Sequence, residues 1–382
     1  MDKARVTIVG GGIGGLTAAI ALAQNGFSAT VLEVAPAFGE VGAGLTLAPN
    51  AMKAYLALDM ADAVAQAGVE PARQRIQHWE DGRVLRVLER GDMRQIYGAP
   101  YVYIHRADLH AILVTEARRR GVRLESDAGV VAVEGACAVL HDGRRIEGDI
   151  LIGADGVKSV VRRAFDPAPP HFTGHVAWRA VVPVTGDLAD LVSWPGMHIG
   201  PRRMVVRYPV RGGTMMNTVF FARQSGWTED GWSIRADRSE LDGVFTGWAP
   251  EVQAMIAAVP ADGLYKWAIN ARQPLPGWIL DDRVALLGDA AHGMTPFLGQ
   301  GAACAVEDAI VLARALSASA SVAEGLKRYE AARLERATFI QLESNANADR
   351  MQADETELFG LQALRNEDSL GLFHYDCRTV PV

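Results

Sequence analysis

The chain has 382 residues, 49% hydrophobic and 22% charged, with 45 acidic against 38 basic side chains and a formal net charge of −7. That length exceeds one ordinary core and suits two closely packed domains, while the acidic balance, without any Lys/Arg-rich run, argues against a nucleic-acid partner. No stretch of about 18 apolar residues implies a membrane span, the opening residues lack the pattern of a signal peptide, and Cys137, Cys304 and Cys377 are too scattered for a disulfide framework or a metal site, as expected of reduced thiols in a cytoplasmic protein.

In chain order, Arg5–Val9 is an apolar, β-branched run of buried-strand type. Residues 16–25 follow as a helix that Gly26 ends, and residues 29–33 give a second strand. Together they form a βαβ unit. Residues 51–67 have helical character, 83–88 look like a strand, and 107–120 read as a helix closed by Gly121. From 123 to 152, short strands alternate with turns such as His141-Asp142-Gly143. From about Thr173 to Ala222 the pattern changes: strand-like runs (176–184, 204–210, 215–222) are broken by Pro and Gly turns. This predicts a mostly antiparallel sheet inserted into an α/β framework. Residues 284–288 return to a parallel-type strand, followed by helices over 301–316 and 322–344.

Three turns carry chemistry. The first is Gly10-Gly11-Gly12-Ile13-Gly14-Gly15, with G-x-G-x-x-G at Gly10, Gly12 and Gly15 between a strand and a helix. Gly10 permits the tight turn, Gly12 lets a pyrophosphate approach the backbone, and Gly15 lets the helix pack on the sheet. The helix N-terminus offers N–H groups and a favourable dipole to phosphates. Glu33, 18 residues beyond Gly15 (33 − 15), ends the second strand where an acid would bind adenosine ribose hydroxyls. The second turn is Gly153-Ala154-Asp155-Gly156-Val157-Lys158-Ser159, and the third is Gly288-Asp289-Ala290-Ala291-His292, followed by Pro296 and Gly299-Gln300-Gly301. Each ends a strand in small residues and one aspartate, which suits a polyhydroxylated ligand or a purely structural turn.

The three turns in this order resemble the FAD-dependent aromatic hydroxylases of the p-hydroxybenzoate hydroxylase fold, over nearly the whole chain. The stretches Gly39-Glu40-Val41-Gly42-Ala43-Gly44, Pro100-Tyr101 through His105-Arg106-Ala107-Asp108-Leu109-His110, Thr173-Gly174-His175-Val176-Ala177-Trp178-Arg179-Ala180 and Tyr208-Pro209-Val210-Arg211-Gly212-Gly213 are similar to the salicylate hydroxylase and 3-hydroxybenzoate 6-hydroxylase branch. The resemblance implies a Rossmann-like FAD-binding domain interleaved with an antiparallel substrate domain. The expected division is 1–172 (with strands from 73–104 lent to the substrate sheet), 173–275, and a return to the FAD domain with C-terminal helices over 276–382. It also implies roles. Arg106 would touch the FAD pyrophosphate or ribityl chain, Asp155 would lie where cofactor and nicotinamide are handled, and Asp289 would bind a ribityl hydroxyl. Pro296 would line the flavin, with the Gly299–Gly301 backbone facing the isoalloxazine at the positive end of a helix. The implied reaction is hydroxylation of a small aromatic substrate with O2 through a flavin C4a-hydroperoxide, with NADH or NADPH as transient reductant, in a monomer or homodimer.

The substrate strand departs from the branch. By alternation, Met204, Val206 and Tyr208 share one face and Arg203, Val205 and Arg207 the other. The similar hydroxylases carry a histidine four residues before the tyrosine, where this chain has the non-titrating Met204. They carry a glutamine where this chain has Pro296, with Phe297 beside it. Met204, Val206, Tyr208 and Phe297 are thus the expected pocket, with Tyr208 and His292 as candidate catalytic groups. His292, like His105 and His175, could equally be structural. Arg203 and Arg207 could clamp a carboxylate or occupy a solvated or interdomain face, and Trp178, Met215 and Met216 suit core better than pocket. The departures favour a more apolar substrate face, or a ring that needs less help to ionise. The expected substrate is a phenolic aromatic acid of salicylate, hydroxybenzoate or hydroxypyridine-carboxylate type. A larger heteroaromatic metabolite and a non-catalytic flavin-binding role are the competing readings.

Overall fold

The structure, a computed structural model, describes residues 4–39, 43–227, 229, 231, 234–356, 359 and 365–382. Residues 40–42 of the branch-like stretch at Gly39 lie outside the described residues. The first sheet has six strands in the order Ile279–Leu280, Val284–Leu286, Ile150–Gly153, Arg5–Val9, Ser28–Leu32 and Arg123–Glu125. All pairs are parallel except the outermost, between Ile279–Leu280 and Val284–Leu286. Its central strands are short apolar runs because both sheet faces are covered. The helix Ile13–Gln24 is buried over most of its surface, packed between this sheet and the helix Gly301–Ala318.

The second sheet has eight strands: Ile234–Arg235, Tyr265–Ala271, His171–Pro183, Met215–Arg223, Arg203–Val210, Gly196–Gly200, Arg73–His78 and Val84–Glu89. It is antiparallel apart from the pairing of Gly196–Gly200 with Arg73–His78. That pairing stitches a hairpin from the first quarter of the chain onto strands from its middle. One face packs Val176, Trp178, Val205, Met216 and Phe220 under the helices Arg238–Val244 and Pro250–Ala257. The other packs Ala177, Met204, Phe221 and Trp267 against Phe297 and the C-terminal helix Val322–Met351.

Several sequence expectations change. The helix over 51–67 is two helices, Pro49–Ala57 and Ala61–Ala67, because Asp59 takes the left-handed conformation (φ 61) and turns the chain to bury Met60. The strand over 284–288 stops at Leu286, since Gly288 (φ 63) already turns towards Asp289. The last long helix continues past 344 to Met351. Arg207 neither faces solvent nor an interdomain surface: it is 1% exposed. Its guanidinium donates to Gln77 Oε1 at 2.6 Å, to the Trp194 carbonyl at 3.2 Å and to His198 Nδ1 at 3.1 Å. The strand is central and both faces are covered, so alternation sorts its side chains between two interiors, not between core and water.

The candidate cofactor crevice and substrate face

The fingerprint turn is shaped for a ligand. Gly10 has φ 107, and a Cβ there would lie 2.3 Å from the Ala154 carbonyl oxygen. A Cβ at Gly15 would lie 2.1 Å from the Gly10 carbonyl oxygen. Both positions therefore exclude any side chain. At Gly12, by contrast, a Cβ would meet nothing within 4 Å. The helix that starts there has no side-chain cap and no acidic residue in its first turn. Open space thus adjoins uncapped N–H groups at the positive end of a 12-residue helix, the arrangement a pyrophosphate requires. Glu33 is fixed at the end of its strand by N–H donors from Gly11 and Ala35, both at 2.8 Å. His110, which sequence reasoning missed, buttresses the same turn, its Nε2 2.8 Å from the Gly11 carbonyl oxygen.

The two aspartate turns differ. Asp155 is occupied locally: its carboxylate accepts from the Ser159 hydroxyl at 2.5 Å and from the N–H of Val160 and Val161 at 2.7 and 3.3 Å. Asp289 is solvent-exposed at the floor of the crevice. The protein around it still pushes its carboxyl above the ordinary range, against the pull of His292 and Arg106. A Cβ at Gly301 would lie 3.9 Å from Asp289 Oδ1, so nothing stands between that carboxylate and the start of the helix Gly301–Ala318. Pro296 is exposed and opens the turn Pro296–Leu298, and Gly299 (φ 65) sits against Thr46. The Arg106 N–H donates to the Ala43 carbonyl at 2.7 Å, so Arg106 begins its helix beside the strand Gly44–Leu47.

Behind these turns lies an ion network. His292 Nε2 is 2.7 Å from Asp308 Oδ2, which also accepts from the Gly288 N–H at 3.0 Å. Arg333 pairs with Asp308 and with Glu307, each at 2.7 Å, and all three side chains are fully buried. Arg336 and Asn50 donate to Glu307, and Asn50 also donates to Gln300 Oε1 at 2.9 Å. His292 and Arg333 hold the Asp308 carboxyl down at about 2, overriding burial. One adjacent pair of carboxylates therefore anchors both turns, Gly288 through Asp308 and Gln300 through Asn50 and Glu307. The signal in the sequence was that pair itself, Glu307-Asp308, interrupting the apolar run of its helix.

The expected pocket residues fall into two adjoining clusters. Met204 and Phe297 pack with Phe221, Ala177, Trp267 and Met351. Tyr208 packs with Tyr101, Tyr103 and Phe373, and Val206 borders both groups. Tyr208 stacks on Tyr103 with ring centroids 4.5 Å apart and planes 11° from parallel. Its ring lies where a Cβ on Gly44 would be, and the Gly44 N–H donates to Asn217 Oδ1 at 2.7 Å. Burial pushes the Tyr208 hydroxyl well above the ordinary tyrosine range, with the Thr46 hydroxyl in hydrogen-bonding reach. At neutral pH it is therefore a hydrogen-bond donor and not a base. A cavity of about 750 Å³ lined by Trp178, Arg203, Trp227 and Lys266 shares none of these crevice or pocket residues. Among the described residues, no group of three or more His, Cys, Asp or Glu could hold a metal ion, and no helix is long and apolar enough to cross a membrane.

Comparison with known proteins agrees with this geometry. Residues 3–343 match the family model described as FAD binding domain. The chain is 36% identical over 374 residues to 3-hydroxybenzoate 6-hydroxylase 1 of Aquipseudomonas alcaligenes, covering 95% of this chain and 92% of that one. It is 35% identical to 6-hydroxynicotinate 3-monooxygenase of Pseudomonas fluorescens, over 99% and 96% of the two chains. A salicylate hydroxylase substrate complex superimposes with a TM-score of 0.83 at 25% identity, over 98% of this chain and 96% of that one. The chain belongs to the FAD-binding-domain family and, within it, to the FAD-dependent aromatic hydroxylases.

Proposed function

We propose that the protein hydroxylates a small phenolic ring bearing a carboxylate, of hydroxybenzoate or hydroxypyridine-carboxylate type, with NAD(P)H and O2. The observation that carries this reading is the junction of the two regions. The crevice ends at Gly299 against Thr46, and the Thr46 hydroxyl is in reach of Tyr208 on the sheet face. The residues fit FAD: the open space at Gly12 and the helix N-terminus take the pyrophosphate, Glu33 the adenosine ribose, Asp289 a ribityl hydroxyl and Arg106 the neighbouring negative charge. Pro296 and the Gly299–Gly301 backbone take the ring system. FAD, reduced by NAD(P)H, supplies an electrophilic oxygen derived from O2.

The remaining roles belong to the chain. Met204, Val206 and Phe297 exclude water and hold the substrate ring by apolar contact. Tyr208 donates a hydrogen bond that orients it. His292 serves as a positioning residue, since its Nε2 is committed to Asp308 within the buried network. Asp155, committed to its own loop, shapes the crevice wall where the nicotinamide approaches. The working division is 1–172, 173–275 and 276–382. The three buried free cysteines suit a reducing cytoplasm, and the protein acts as a monomer or homodimer.

A second reading has its own support. The face around Met204 and Phe297 includes Ala177, Phe221, Trp267 and Met351, apolar contacts that suit a larger heteroaromatic ring as well as a benzoate. A panel of hydroxylated benzoates, pyridinecarboxylates and quinolines, screened for stimulated NAD(P)H oxidation with product gaining one oxygen, separates the two. No stimulation by any ring overturns the hydroxylase reading.

A further inference from the structure

The strand that lacks a titratable side chain at Met204 is one strand removed from a strand that carries one, His171–Pro183, with Met215–Arg223 between them. In the paired strands, Met204 lies opposite Phe221, and Phe221 opposite Ala177. His175 is two residues from Ala177 and therefore on the same face, one row further along. It follows Gly174 (φ 79), where the pairing of His171–Pro183 with Tyr265–Ala271 shifts register. Such bulges re-aim a side chain out of a regular ladder. The imidazole is 6% exposed and stands edge-on to Phe297, the residue next to the exposed Pro296 of the crevice, with ring centroids 5.1 Å apart.

Its hydrogen bonds fix its tautomer. The Thr173 hydroxyl donates its only proton to the Ile269 carbonyl at 2.8 Å. Thr173 Oγ1, 3.3 Å from His175 Nδ1, can then act towards the ring only as an acceptor. The proton is on Nδ1, and Nε2 carries the lone pair. That nitrogen is buried and makes no hydrogen bond. A buried acceptor left unpaired is costly, and native structures keep few without a use. The charged groups that act on the ring are Arg223 on the adjacent strand and Asp349 on the C-terminal helix, which pair with each other. Burial, and then Arg223, keep the imidazole below its ordinary range and so neutral.

We propose that His175 Nε2 accepts the hydrogen bond of the substrate's ring hydroxyl, in the place that Met204 cannot fill. The hydroxyl reaches Nε2 by displacing the edge of Phe297. An acceptor there draws the phenolic proton away from the ring oxygen and so pushes electron density into the ring that is to be attacked. The assignment rests on the aromatic-hydroxylase reading of this site. It adds a substrate requirement: a hydrogen-bond donor, hydroxyl or ring N–H, and not merely an oxygen substituent.

The test is made on the FAD-loaded protein with 3-hydroxybenzoate and 6-hydroxynicotinate as probes, each against its O-methyl counterpart. Dissociation constants are read from the flavin difference spectrum, and flavin content reports that each variant has folded. Wild type is expected to favour the donor form at least tenfold over the ether. His175→Phe should abolish that preference, His175→Gln, which places an amide oxygen near the Nε2 position, should restore part of it, and Thr173→Val should weaken it severalfold by unlocking the tautomer. An undiminished preference in His175→Phe, or no preference in wild type, overturns the assignment while leaving hydroxylation intact. Absence of oxygenated product from every hydroxylated ring in wild type overturns the hydroxylase reading and the assignment with it.

Discussion

The crevice from Gly10 to Gly301 is walled mainly by backbone: glycines where a Cβ would collide, uncapped N–H groups, and few side chains, chiefly carboxylates fixed at strand ends. The sheet face it meets at Thr46 and Phe297 is walled by bulky side chains from seven different segments of chain. A cofactor with many polar atoms needs many fixed donors and acceptors, which peptide groups supply at no cost in side-chain entropy. A small aromatic ring needs shape and one or two polar contacts, which only side chains supply. The first region therefore tolerates almost no substitution and binds one ligand, while the second can be altered residue by residue to change what is bound.

The contrast is open to experiment. The largest effect is expected at Gly15→Val, where the side chain has no space beside the Gly10 carbonyl; the protein should retain no flavin, read as absorbance near 450 nm per polypeptide on the order of zero. Stoichiometric FAD in that variant would show that the wall yields. Next comes Arg333→Met behind the crevice, which removes the cation shared by two buried carboxylates, leaves Glu307 to Arg336 and Asn50 and Asp308 to His292 and the Gly288 N–H, and should cost about 3 kcal/mol in denaturant unfolding. The same network sets an acid limit. Asp308 titrates at about 2 when folded and at about 3.9 unfolded, so its depressed value stabilises the fold fully above about pH 4. That contribution, on the order of 2 kcal/mol, is lost as pH falls towards about 2. The unfolding midpoint should therefore fall more steeply below pH 4 in wild type than in Asp308→Asn. Parallel pH profiles would place the acid transition elsewhere.

Asp289→Ala comes third: it removes one acceptor and should weaken FAD binding by about tenfold or more, measured by titration of the apoprotein. The smallest effect on the cofactor is expected on the substrate face. Tyr208→Phe keeps the stack on Tyr103 and removes only the donor, so FAD affinity should hold while product formed per NAD(P)H consumed drops by about tenfold. Equal coupling in mutant and wild type would make Tyr208 a packing residue.

Legibility in the sequence followed the same division. Gly10, Gly12, Gly15, Glu33 and Asp289 could be picked out because a backbone-built site demands particular residues at fixed local spacing. The sheet face was legible only along single strands. Period-two alternation grouped Met204, Val206 and Tyr208, yet Tyr208 packs in a different cluster from Met204. Arg207 was misplaced because alternation within one strand carries no information about what covers its second face. The Asp308–Arg333 pair joins helices through side chains 25 positions apart, and His175 depends on a register shift against Tyr265–Ala271. Neither relation has a local signature.

The order of strands in the first sheet bears on how the chain is made. Ile150–Gly153 lies between Arg5–Val9 and Val284–Leu286, and the second of these parallel partners comes 131 positions later (284 − 153). The second aspartate turn of the crevice, at Asp289, follows directly on that strand. A ribosome must therefore release nearly three quarters of the polypeptide before this side of the sheet can be completed, and six strands of the eight-stranded sheet emerge in between. Contacts this distant close slowly, and until they do the flank of Ile150–Gly153 stays open to other strands. Saturating flavin added during refolding should shorten that interval only after the Val284–Leu286 strand has docked, so a chain truncated before residue 284 should gain nothing from it.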